Sequence, residues 1–143
     1  MSTTATNQLY SQTALKLREI SALGSISGLL GWDEMVMLPE GSSSLRGKQK
    51  SVLSGIMYDK ETDPSLGEAL RSLDSKKDEL SEVQRAVVRD SLKAFIRNTA
   101  LPKALVTRQA ELETEAYGAW VAARSASDFS KVLSSATHIC SFM

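Results

Sequence analysis

Few side chains in this 143-residue sequence have the type and spacing that chemistry demands. The single histidine, His138, and the single cysteine, Cys140, stand two positions apart. On a helix that spacing sends them to different faces, so they make a poor metal-binding pair and a poor nucleophile–base pair. A catalytic zinc ion needs three protein ligands and an open position for water, which this pair cannot supply. Glu111, Glu113 and Glu115, with Glu19 or Asp33 as further partners, could offer paired carboxylates for general acid–base work. Residues 111, 113 and 115 spread around a helix, however, and a solvated charged face is the simpler reading. Gly24, Gly28 and Gly31 lack the preceding strand and following lysine of a phosphate-cradling loop. No residue is therefore assigned a catalytic, cofactor-binding or metal-ligating role.

The most distinctive stretch is Leu29-Leu30-Gly31-Trp32-Asp33-Glu34-Met35-Val36-Met37-Leu38-Pro39-Glu40-Gly41. An apolar helical run reaches a Trp-Asp pair, with Pro39 six residues after Asp33 and Gly41 two later. No amphipathic pattern requires that order. Two readings stand: Trp32-Asp33 shapes the rim of a cleft or a subunit contact, or Trp32 fills the core while Asp33 caps or salt-bridges near the turn. Arg46 is a candidate partner for Asp33 or Glu34.

These residues must be held by helices. From about Tyr10 to Leu30 the apolar positions recur at spacings of three and four, with Leu23, Ile26 and Leu30 as one stripe. Gly24, Gly28 and Gly31 form a narrow line on that helix; each costs about 1 kcal/mol relative to alanine, so a close helix–helix approach is expected along it. Pro39-Glu40-Gly41-Ser42-Ser43-Ser44 reads as a turn, with one serine capping a second helix that carries Leu45, Val52, Leu53 and Ile56. Asp63-Pro64 starts a third helix with Leu66, Leu70 and Leu73 on one face. Ser75–Glu79 is a solvated connector. Ser81 with Gln84 forms a capping box for a fourth helix, whose buried stripe is Val88, Leu92 and Phe95. After the break at Asn98–Pro102 a fifth helix runs from about Lys103 to Ser125, with Leu105, Leu112, Ala116 and Trp120 inward, and Asp128 can cap a last segment carrying Phe129, Val132 and Leu133. Strand alternation and hairpin dipeptides are absent. The expected fold is an all-α helical bundle of five or six helices.

The composition is that of an ordinary globular domain, 42% hydrophobic and 24% charged. Seventeen basic and seventeen acidic residues cancel, which argues against a nucleic-acid partner, since phosphate neutralisation needs a basic excess. No run reaches the roughly 18–20 apolar residues of a membrane span. The N-terminus has neither the basic nor the apolar region of a secretory signal, and a single cysteine suits a reducing compartment. A cytoplasmic protein is the expectation, with residues 1–8 disordered, 9–130 helical and 131–143 a frayed tail.

The Trp-Asp to Pro-Gly stretch resembles the N-terminal signature of the carboxypeptidase Taq family of zinc metallocarboxypeptidases. Further matches follow in the family's order: Arg46 with Gln49-x-x-x-Leu53, Thr62–Leu70, Leu101-Pro102-x-x-Leu105-Val106, Glu115-Ala116-x-x-x-Trp120-x-x-Ala123-Arg124, and Asp128-Phe129. Together they cover roughly residues 9 to 130; the sequence from about Ala136 departs from the family. The resemblance implies a larger all-α metallopeptidase fold of which this is the N-terminal portion. It also implies removal of C-terminal amino acids from peptide substrates, with zinc or another divalent metal held by His-Glu-x-x-His and a distal glutamate. His-Glu-x-x-His does not occur in these 143 residues. The expectation is a fragment of a metallocarboxypeptidase that holds no cofactor and is inactive alone. The alternative is a stand-alone helical protein-interaction module, with homo-oligomerisation through exposed helix faces as one route.

Overall fold

Local chemistry sets most helix boundaries. Asp63 is the N-cap of α3 (Pro64–Ser75): its carboxylate accepts the Ser65 backbone N–H at 2.9 Å, and Pro64 occupies a position where a missing N–H is harmless. Ser81 and Gln84 make the reciprocal capping box of α4 (Glu82–Thr99), each side chain accepting the other's backbone N–H. Between them the connector Lys77–Glu79 winds into one 3₁₀ turn. Before them run α1 (Ser2–Val36) and α2 (Ser43–Glu61); after Pro102 comes α5 (Lys103–Ala126). The computed structural model describes residues 2–130, 132 and 133, and no strand occurs among them.

The chain divides into two units, Met1–Ser25 with Ile56–Pro102, and Ile26–Gly55 with Lys103–Met143. In the first unit, Leu66, Leu70, Leu73, Leu80, Val88 and Phe95 form the buried cluster, with Leu9, Tyr10, Leu17, Ile20 and Leu92 packed against it. The expected faces of α3 and α4 are therefore the ones that meet. Each such aliphatic side chain contributes roughly 1.5–3 kcal/mol on burial. Gly67 lets α3 come down on α4: a Cβ there would sit 2.6 Å from Cε1 of the Phe95 ring.

The second unit is built differently. Small residues line the contact of α2 with α5: Cβ atoms placed at Gly47, Gly55 and Gly118 would meet Thr114 at 3.6 Å, Thr107 at 3.4 Å and Ser43 at 3.3 Å. Partners ascend on one helix as they descend on the other, so α2 and α5 run antiparallel. Leu112 and Ala123 are buried, as is Thr114, whose hydroxyl donates to the Ala110 carbonyl.

Three expectations are corrected here. Within the stretch expected to be disordered, residues 2–8 fall inside α1; Thr6 is buried and its Oγ1 donates to Glu79 Oε2 at 2.7 Å, a contact invisible to local pattern. The glycine line on α1 is not a close approach within the chain. Only Gly24 has a neighbour near, Met57 at 3.9 Å, whereas Gly28 and Gly31 face open space. Trp120 does not point inward; it is 45% exposed, stacked on Tyr117 and covered on one side by the Arg124 guanidinium. The tail beyond Leu133 lies outside the described residues.

Candidate functional site

The Trp-Asp stretch closes α1. The Asp33 carbonyl accepts the N–H groups of both Met37 (2.8 Å) and Leu38 (2.9 Å), and Pro39 follows where no helix can continue. Gly41 carries the turn in the left-handed region, at φ +82°. The reversal sets the start of α2 beside the last turn of α1, and two cations one helical turn apart, Arg46 and Lys50, meet the two adjacent carboxylates. Arg46 Nη2 binds Asp33 Oδ2 at 2.5 Å, its Nη1 donates to the Leu30 carbonyl at 2.8 Å, and its Nε donates to Gln49 at 3.0 Å. Lys50 Nζ binds Glu34 Oε2 at 2.8 Å. Arg46 is thus the partner of Asp33. Lys50 escaped the sequence reading, although its spacing of four from Arg46 places both on one face.

A cavity of about 470 Å³ opens beside this turn, with Glu34, Leu38, Pro39, Tyr117, Val121 and Ser125 among its walls. Half of those six are plainly apolar, while Glu34, Tyr117 and Ser125 carry polar groups. The Glu34 side chain is only 6% exposed, and its Oε1 is buried without a hydrogen-bond partner. Its other oxygen, Oε2, is held by Lys50. The ion pairs therefore order the α1–α2 turn, and the recess beside it is lined by both apolar and polar groups, the Glu34 and Glu40 side chains included.

Trp32 is 56% exposed, so it does not plug the core; Asp33 does salt-bridge at the turn. The glutamates of α5 are separated as the helical spacing implies. Arg108 binds Glu111 at 2.9 Å and holds its carboxyl below the ordinary range, with the Ser51 hydroxyl helping, while Gln109 donates to Glu113. Glu19 pairs with Lys60 at 2.7 Å. In the first unit a cavity of about 200 Å³ is walled by Leu17, Ile20, Glu61 and Phe95 among others. Burial pushes the Glu61 carboxyl up against the opposing charge of Arg97, and Asn98 donates to it at 2.9 Å.

His138 and Cys140 lie outside the described residues. Among the described residues no three His, Cys, Asp or Glu side chains come together to hold a metal ion. Among the described residues no donor set fits the divalent metal that the sequence resemblance implies. No described helix is long and apolar enough to cross a membrane.

Known proteins share this arrangement of helices. Residues 12–142 match the model of the carboxypeptidase Taq (M32) metallopeptidase family. Thermostable carboxypeptidase 1 of Thermus thermophilus is 31% identical over 115 residues, which are 78% of this chain and 22% of that protein. Carboxypeptidase 1 of Bacillus subtilis is 28% identical over 114 residues, 80% of this chain and 23% of that one. The crystal structure of an M32 carboxypeptidase from Deinococcus radiodurans R1 superposes with a TM-score of 0.70 and 29% identity, over 94% of this chain and 27% of that one. The chain spans about a quarter of the length of the relatives it matches.

Proposed function

Because the chain belongs to the carboxypeptidase Taq (M32) metallopeptidase family, we propose that it is the N-terminal helical portion of a metallocarboxypeptidase and is without catalytic activity alone. One observation carries this reading: family likeness extends over nearly the whole chain yet over only about a quarter of each relative. The side chains agree with it. Asp33 and Glu34 at the family's Trp-Asp turn are engaged in pairs that fasten α1 to α2, which suits a scaffold role for this portion. Metal binding, water activation and recognition of the peptide C-terminus then fall to residues outside this sequence. The parent reaction is hydrolysis of the last peptide bond of a substrate with a divalent metal, zinc on the family resemblance, and a cytoplasmic setting suits the single cysteine.

The second reading, a stand-alone interaction module pairing with itself or with a full-length enzyme, draws on the large apolar side chains left at the surface. Sequencing the source transcript across codon 143 separates the two. An in-frame continuation containing His-Glu-x-x-His supports the first reading; a stop codon with no family sequence downstream overturns it and favours the second.

A further inference from the structure

We propose that the solvent-facing arc of α1 within the second unit is the seam on which the remaining helices of the M32 fold pack. This inference rests on the reading of the chain as the N-terminal portion of that fold. At about 100° per residue, Leu29, Val36, Trp32, Gly28 and Met35 fall in that angular order within about 120° of helix circumference. No charged side chain shares the arc. Leu29, Val36, Trp32 and Met35 are 63%, 59%, 56% and 68% exposed, Met35 and Val36 at the edge where the arc borders the cavity beside α5. An uncharged apolar stripe of this width is the face a globular helix ordinarily turns to its core, and an exposed apolar patch marks a surface that a partner covers.

Gly28 adds an independent mark. A Cβ built there would meet nothing within 4 Å, so the backbone is bare in the middle of the arc. Interior glycine costs helix stability, and the return on that cost is close approach by another helix. The described residues of this chain provide none. Length identifies the occupant: the Deinococcus structure holds the matched helices within a chain several times as long, since the match covers 94% of this chain and 27% of that one. The surplus helices are the cover that this arc lacks. An apolar helix face, with a small-residue or ridge contact over Gly28, is the chemistry that fits.

The test uses two whole proteins. The first is the 143-residue chain; the second is the Deinococcus enzyme with its matched N-terminal segment replaced by this chain's. Leu29→Asp with Val36→Asp is introduced into each, with Leu15→Asp, exposed but in the first unit, as the control. In the chain alone the double substitution should leave the helical spectrum unchanged and the melting midpoint within about 2 °C, because both side chains are more than half exposed. In the chimera it should lower the midpoint by at least about 5 °C or abolish the transition, while the control does neither. Equal, small effects in both proteins would overturn the seam and leave the N-terminal-portion reading standing, provided the parent chimera folds and hydrolyses peptides. A parent chimera that neither folds nor hydrolyses would overturn both. Dimerisation of the chain alone, abolished by the double substitution, would overturn the seam by assigning the arc to a second copy.

Discussion

Glycines at three helical positions should respond to alanine with opposite signs. Gly67 lies where α3 meets α4, and an added Cβ would stand 2.6 Å from Phe95 Cε1 and 3.0 Å from Cε2, closer than carbon atoms pack. Phe95 cannot swing clear cheaply, being 6% exposed within the Leu66–Leu70–Leu73–Leu80–Val88 cluster, with Arg71 over its ring at 5.5 Å. Overpacking of this kind costs about 1–3 kcal/mol, and the better helix propensity of alanine returns up to about 1 kcal/mol. Contacts this short put the cost in the upper part of that range, about 2–3 kcal/mol, so Gly67→Ala should destabilise by about 1–2 kcal/mol net. Gly28→Ala and Gly31→Ala meet no atom within 4 Å, so propensity alone acts and each should stabilise by about 0.5–1 kcal/mol. Urea denaturation followed by far-UV circular dichroism reads all three. Phe95→Leu should make Gly67→Ala less harmful in the double variant than in the single, through relief of a shared clash. Gly67→Ala as stable as the parent, or Gly28→Ala clearly less stable, would refute the assignment of where helices touch.

Two further outcomes follow from the ion pairs. The Ser65 hydroxyl, the Lys16 ammonium and the Ser65 backbone N–H together hold the Asp63 carboxyl at about 2, below its ordinary 3.8. A depressed acid stabilises the fold above its unfolded value and loses that contribution as pH falls through the folded one. Acid titration should show a stability loss between roughly pH 4 and 2 that flattens in Asp63→Asn, while an unchanged slope would place the loss elsewhere. Arg46→Met removes the two bonds to α1 and a third to Gln49 and should cost about 1–3 kcal/mol in denaturant. Arg46→Lys should recover only part of it, since lysine lacks the fork that reaches Asp33 and the Leu30 carbonyl together.

What could be read in advance was what local chemistry decides. Asp63-Pro64 and Ser81 with Gln84 each satisfy backbone groups within a few residues, so type and spacing suffice to place the starts of α3 and α4. The Leu66–Leu70–Leu73 face was legible because a three-four spacing survives any packing partner. Failures had distant causes. The early start of α1 depends on Thr6 reaching Glu79, which is 73 residues away in sequence. The close approaches at Gly47, Gly55 and Gly67 depend on Thr114, Thr107 and Phe95 arriving from other helices. Trp32 and Trp120 look like core residues by type, and only the structure reveals that this chain leaves them uncovered. At the Trp-Asp turn, Arg46 was legible as a partner of the acids, whereas the burial of Glu34 by Lys50 and its surroundings required the fold.

The proposed role as a carboxypeptidase-family scaffold, inactive alone, stands or falls on an assay of the purified chain against a panel of peptides with zinc or cobalt added, with mass spectrometry following loss of C-terminal residues. No release above that of metal and buffer alone is expected. Chelator-sensitive release at enzyme-like rates, copurifying with the chain and absent from mock preparations, would contradict it.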